Sequence, residues 1–85
     1  MNIKKIIIYS TDLCGLCTMS KEHLRERGIE FEERMVGKEH PKIGKEMLKL
    51  NGGLCTVPTV IIENEKGNKI IKVGKKGYEY LRDNI

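Results

Sequence analysis

Apolar residues recur along this chain with the spacings of alternating strands and helices. Short runs rich in Ile and Val fit strands, and stretches with an apolar residue every three or four positions fit helices. Gly28 ends the first helical stretch, and Pro41 suits the first turn of the second. In order, the pattern predicts a strand at 3–9, a helix at 16–27, a strand at 29–35, a helix that starts at 41 and ends at 51–53, strands at 59–63 and 69–73, and a helix at 78–84.

The predicted order of elements is β-α-β-α-β-β-α. The first three strands and two helices can form right-handed crossover units, which place helices on the faces of the sheet. The segment 64–68 contains Gly67 and fits an antiparallel hairpin between the last two strands. Residues 74–77 are predicted to form a turn before the final helix. A chain of 85 residues without repeats or linkers predicts one α/β domain spanning 1–85.

Composition excludes several classes of partner. The net charge is +4, but the basic residues are spread along the chain, and three Tyr, one Phe and no Trp offer little for stacking on bases. We therefore expect no nucleic-acid partner. The sequence shows neither a signal-peptide pattern nor an apolar run of membrane-spanning length. Three cysteines are an odd count for a disulfide framework, so we expect a cytoplasmic location. We also expect a monomer without membrane attachment.

The strongest chemical signal is Cys14-Gly15-Leu16-Cys17, which lies between the first strand and the first helix. The N–H groups and the positive dipole end at a helix N-terminus favour a thiolate, which is the reactive form of cysteine. We expect Cys14 to be the exposed nucleophile and Cys17 the more buried resolving thiol. A thiolate on Cys14 would attack a substrate disulfide, and Cys17 would then release the reduced substrate.

A structural zinc site is the main alternative for the cysteine pair. Zinc takes four ligands, and only Cys55, His23 and His40 remain to complete the set with Cys14 and Cys17. The β-α-β context favours redox chemistry over zinc binding.

Thr56-Val57-Pro58 directly precedes the third strand. Proline at this place is either an ordinary trans residue that ends a loop or a cis residue beside an active site. In combination with the cysteine pair we expect the cis form, which would let the Val57 backbone pair with the main chain of a bound peptide.

Taken together, these motifs resemble the glutaredoxins of the thioredoxin-like superfamily, including their NrdH-type relatives. The resemblance covers nearly the whole chain and implies a thioredoxin-like α/β fold, a four-stranded mixed sheet flanked by three helices. The residues that carry it are Tyr9, Cys14, Cys17, Thr56, Val57, Pro58 and Gly74. It implies a thiol–disulfide oxidoreductase that reduces protein disulfides or glutathione mixed disulfides.

The resemblance also implies a substrate site and an external reductant. Thr11 stands where the family commonly has a lysine, and Gly74-Lys75-Lys76-Gly77 stands where the family often has Gly-Gly followed by a Ser or Asp. The expected substrate-binding residues are Tyr9, Thr11, Val57, Pro58, Gly74 and Lys75. No cofactor is expected in the chain, and either glutathione or thioredoxin reductase would regenerate the dithiol. Tyr9, at the end of its strand, fits simple packing equally well.

Cys55 lies three residues before Pro58, and its role is open. It is either functional, as an auxiliary redox thiol, a redox sensor or a metal ligand with Cys14, or a small residue packed under its loop, and the packed residue is the favoured interpretation. The alternative function is an iron–sulfur or metal carrier that uses Cys14.

Overall fold

A computed structural model describes residues 3–85, which form one four-stranded mixed sheet and three helices. The single domain predicted from the sequence includes residues 1 and 2, which lie outside the described residues. None of the helices in this described part is long and apolar enough to cross a membrane. The elements are β1 (Ile3–Ser10), α1 (Gly15–Glu26), β2 (Glu32–Met35), α2 (Pro41–Asn51), β3 (Thr59–Asn64), β4 (Lys69–Val73) and α3 (Lys75–Asn84).

The two central strands are buried on both faces of the sheet. Side chains alternate between the faces along a strand, so the continuous apolar runs at 6–9 in β1 and 60–62 in β3 supply two separate cores. The core beneath α1 and α3 contains Ile6, Ile8, Leu24, Val60, Ile62 and Leu81. The core beneath α2 is smaller and contains Tyr9, Met47 and Ile61.

The sheet order β2-β1-β3-β4 confirms the mixed sheet but corrects the role of α2. β1 and β2 are parallel, as expected for strands joined by the α1 crossover. β3 runs antiparallel to β1, and β4 pairs antiparallel with β3 in the predicted hairpin. α2 therefore does not join two parallel strands. α2 begins and ends near the same end of the sheet. The chain therefore enters β3 at the end where it left β2, and β3 runs antiparallel to both β1 and β2.

The last helix begins earlier than predicted. Residues 74–77 are not a turn, because α3 begins at Lys75 directly after Gly74. Gly74 has φ +66° and alone provides the change of direction. Gly77 is a buried helical residue, and a Cβ there would lie 3.0 Å from the Val60 side chain. Glycine at 77 thus permits close packing of α3 on the sheet.

Candidate active site

Four loops and turns meet at one end of the sheet. Near the end of β1, Tyr9 is paired with Thr59 of β3, and Thr59 is also paired with Val73 of β4. The next residue, Ser10, is paired with Met35 of β2. The chain leaves β1, β2 and β4 and enters β3 at this end. Four segments are therefore neighbours at this end: 11–14, 36–40, 52–58 and the start of α3. They include most of the residues predicted to be functional.

Cys14 caps the N-terminus of α1 with its sulfur. Its backbone is extended, with φ −118° and ψ 107°, and its Sγ accepts a hydrogen bond of 3.2 Å from the Cys17 N–H. Its carbonyl oxygen accepts from the Thr18 N–H at 3.1 Å. The sulfur thus occupies the position of the side-chain oxygen in an ordinary N-cap. The same N–H would stabilise negative charge on a Cys14 thiolate.

Cys17 lies behind Cys14, and the two are joined in a disulfide. Their Cα atoms are 5.2 Å apart. Cys17 is fully buried, whereas Cys14 is partly exposed at the end of the sheet. Of the two sulfurs, only that of Cys14 is accessible to a large substrate. Geometry and exposure suit Cys14 for the first attack and Cys17 for the second.

The Val57–Pro58 peptide bond is cis, as the sequence predicted. Pro58 is buried, and its carbonyl oxygen accepts a hydrogen bond of 2.7 Å from the Gly74 N–H. A Cβ at Gly74 would lie 3.2 Å from the Thr56 Cγ2 atom. This bond and this close contact hold the loop before β3 against the start of α3.

The main chain of Val57 has spare hydrogen-bonding capacity. Within residues 3–85, no backbone hydrogen bond uses its N–H or its carbonyl group. The Val57 side chain is half-buried against the core beneath α2, which fixes the residue in place. An extended peptide could pair with this short stretch of main chain, as in other cases of strand addition.

The family model for glutaredoxin matches residues 6–66, which is more than half of the chain and includes both cysteines and the Val57–Pro58 bond. The chain belongs to the glutaredoxin family. This family assignment agrees with the cysteine pair at the start of α1 and with the sheet order described above.

Curated glutaredoxins from two Rickettsia species are similar to this chain. Glutaredoxin 1 of Rickettsia felis is 34% identical over 59 residues, and Glutaredoxin 1 of Rickettsia conorii is 32% identical over the same length. Each match covers 69% of this chain and 58% of the relative. The chain therefore matches only somewhat more than half the length of these relatives.

A solved glutaredoxin has the same fold. The solution structure of glutaredoxin from Brucella melitensis superposes with a TM-score of 0.61 and covers 98% of this chain and 83% of its own. At 23% identity this likeness supports the thioredoxin-like fold and nothing more specific.

Asn51 is a site residue that the sequence analysis missed. Its Nδ2 atom donates to the Leu54 carbonyl oxygen at 2.7 Å and to Thr59 Oγ1 at 3.1 Å. Its Oδ1 atom accepts from the Leu54 N–H at 2.9 Å. Asn51 thus fixes the loop that leads to Val57. The available signal was an Asn before Gly-Gly, because Asn side chains often bond nearby backbone at the end of a helix.

Cys55 is exposed on this loop as a free cysteine. The favoured interpretation of a small residue packed beneath the loop is therefore wrong. Asn51 bonds the backbone of the neighbouring Leu54, which is itself half exposed, and the loop presents both side chains outwards. Its role as an auxiliary thiol remains a prediction.

Tyr9 is buried beneath α2 and offers no surface to a substrate, so the structure favours packing over the predicted substrate contact. Its hydroxyl donates to Glu46 Oε1 at 2.6 Å, and its ring packs in the core with Met47 and Ile61. Burial, followed by the hydrogen bond to the Glu46 carboxylate, raises the pKa of Tyr9 above its ordinary value. The residue ties α2 to the sheet near the end where the site lies.

The remaining predicted residues lie at the margins of the site. Thr11 is in the turn before Cys14, and Lys75 is exposed at the first position of α3. A shallow cavity of about 370 Å³ lies beside this turn and is lined by Asp12 and residues 35–40. The four-ligand zinc alternative is not assembled, because within residues 3–85 no three His, Cys, Asp or Glu side chains are grouped to hold a metal ion.

Proposed function

We propose that this chain is a dithiol oxidoreductase that reduces disulfides by thiol–disulfide exchange. The observation that carries the proposal is the partly exposed Cys14 sulfur at the start of α1, with Cys17 buried directly behind it. Membership of the glutaredoxin family supports the same class of reaction.

The reaction has two exchange steps. The Cys14 thiolate attacks one sulfur of the substrate disulfide, a Cys14–substrate bond forms, and the other substrate sulfur leaves as a thiolate that takes up a proton. The Cys17 thiolate then attacks Cys14 Sγ, and the second substrate sulfur leaves and is protonated. Two electrons have passed from the dithiol to the substrate. The Cys14–Cys17 disulfide that results needs an external dithiol or thiol to be reduced again.

The substrate class we favour is a protein disulfide or a protein–glutathione mixed disulfide. Leu13, directly before Cys14, is fully exposed, and an apolar side chain beside the reactive sulfur suits contact with a protein surface. The free N–H and carbonyl of Val57 would pair with the main chain that flanks the substrate cysteine. Lys75 and the helix N-terminus that it opens would attract a substrate carboxylate.

Reduction of a fluorescent peptide disulfide by the reduced protein tests the proposal. The wild-type chain is expected to react and Cys14→Ser is expected to lose the activity, whereas a slower rate in Cys55→Ser would assign the auxiliary role to that thiol. Activity that survives in Cys14→Ser would disprove the assigned nucleophile. A visible absorbance band in anaerobically purified protein, together with absent exchange, would favour the alternative of an iron–sulfur carrier.

A further inference from the structure

Helix α2 covers only part of its face of the sheet. Its last residue, Asn51, bonds Thr59 at the end of the sheet where the active site lies, and Glu46 in its middle bonds the Tyr9 hydroxyl. Tyr9 and Thr59 are partners in the register. α2 therefore lies across the row formed by Tyr9 and Thr59. The rows of the sheet farther from Cys14 are covered less by this helix.

A groove of about 480 Å³ lies between α2 and these rows. Its apolar lining comes from the partly buried Ile7 on β1 and Leu50 on α2, with the buried Ile61, the partner of Ile7 on β3, at its base. The volume is within the range of about 300–1,000 Å³ that is typical of small-molecule sites. Neither cysteine of the disulfide lines this groove, so it is separate from the active site.

The rim of the groove is strongly basic. On the sheet side, Glu63 is flanked in register by Lys5 and Lys69, and Lys5 also pairs with Glu32 at 3.7 Å, so the charges of this row are matched. On the α2 side, Glu46 is already bound by Arg34 and Tyr9. Three further lysines on α2 line the groove and form no ion pair within residues 3–85: Lys42, Lys45 and Lys49.

The spacing of the α2 lysines places them along one side of the helix. Lysine stems are apolar, so they extend the walls of the groove while their ammonium groups reach solvent at its edge. The groove thus combines an apolar floor with a row of lysines on α2 that form no ion pair within residues 3–85. A ligand with one hydrocarbon chain and one anionic end complements both features.

We propose that this groove binds a single long-chain fatty carboxylate. Its hydrocarbon chain lies on Ile7, Ile61 and Leu50, and its carboxylate lies among the lysines of α2. A protein partner would need about 800 Å² of surface on each side, whereas a groove of 480 Å³ bounded by charged side chains fits a small ligand.

Titration of isotope-labelled protein with monomeric dodecanoate, followed by amide chemical shifts, tests the proposal. Saturable shifts are expected at Ile7, Leu50 and Ile61, with hexanoate and the uncharged detergent dodecyl maltoside binding more weakly. Absence of saturable dodecanoate binding, or shifts centred elsewhere, would overturn it. Binding to anionic vesicles without binding of monomeric dodecanoate would also overturn it, in favour of a membrane surface.

A matched pair of charge variants tests whether the carboxylate of the bound dodecanoate lies near the lysines of α2. Lys45→Glu with Lys49→Glu is expected to weaken dodecanoate binding by about tenfold or more, because two attractive charges become repulsive. Lys4→Glu with Lys66→Glu makes the same change of net charge at exposed residues outside the groove and is expected to leave the affinity within about twofold. Equal weakening in both variants would show a non-specific charge effect and overturn the site. Disulfide reduction measured in both variants separates this result from the proposed function.

Discussion

Cys14 combines the two properties that an attacking thiol needs. Its sulfur is accessible, and it already accepts the hydrogen bond that would stabilise it as a thiolate. No charged side chain is required for this effect, which is consistent with Thr11 at the position where the family commonly has a lysine. The reactivity proposed for Cys14 would thus depend on the backbone at the start of α1.

Gly74 joins the sheet to α3 in a conformation that favours glycine. Gly74→Ala is expected to lower the free energy of unfolding by about 1–3 kcal/mol, because φ is +66° and the new Cβ would lie 3.2 Å from Thr56 Cγ2. Urea denaturation measures the change. Gly37→Ala is the control, since a Cβ there meets nothing within 4 Å. Equal losses in the two variants would contradict the explanation.

Some single-residue properties could be predicted from the sequence, and others could not. The greater exposure of Cys14 than of Cys17 follows from their spacing at a helix start, because the residue one turn farther into an amphipathic helix faces the core. The exposure of Cys55 could not be predicted in this way. It depends on the bonds between Asn51 and Leu54, which only the folded loop reveals.

At the scale of elements, the Asn51 side chain ties the loop between α2 and β3 to the end of α2. Asn51→Ala is expected to lower the free energy of unfolding by about 1 kcal/mol and to speed hydrogen exchange at the Leu54 amide, which loses its partner. Asn68→Ala is a suitable control, because the Asn68 side chain forms no hydrogen bond within the part of the chain described. Unchanged exchange at Leu54 would show that the loop is fixed by other contacts.

Element type was predictable from the sequence, but the direction of β3, the start of β2 at Glu32 instead of residue 29, and the start of α3 were not. Ile-rich runs identify β1 and β3 because both faces of these strands are buried. The direction of β3 depends on where α2 ends relative to the sheet, which periodicity does not encode. The start of α3 at Lys75 was missed because Gly77 is a helical residue, and its small size is needed for packing rather than for a turn.

At the scale of the whole molecule, ion pairs between layers make stability depend on pH. The hydrogen bond from Lys21, and a weaker contribution from Ser10, hold the pKa of Glu33 below its ordinary value of 4.5. A lowered native pKa stabilises the fold above that ordinary value, and the stabilisation is lost as the pH falls through the native pKa. Lys21 lies on α1 and Glu33 on β2, so the pair connects the helix layer to an edge strand.

Glu33→Gln is therefore expected to reduce the loss of stability between about pH 6 and about pH 3. Urea denaturation at several pH values measures the slope. Glu65→Gln, at an exposed turn residue with no ion pair among residues 3–85, should retain the wild-type slope. If both variants lose stability in acid as steeply as the wild type, Glu33 does not contribute to this dependence.

The central claim is that Cys14 attacks and Cys17 resolves. Its most direct test is mass spectrometry of the fully reduced chain after brief exposure to oxidised glutathione and a rapid acid quench. We expect the wild type to lose two hydrogens in a bond mapped to Cys14 and Cys17, and Cys17→Ser to hold glutathione on Cys14. A lasting adduct on wild-type Cys14 would contradict resolution by Cys17, and oxidation confined to Cys55 or no reaction at all would contradict the assigned nucleophile.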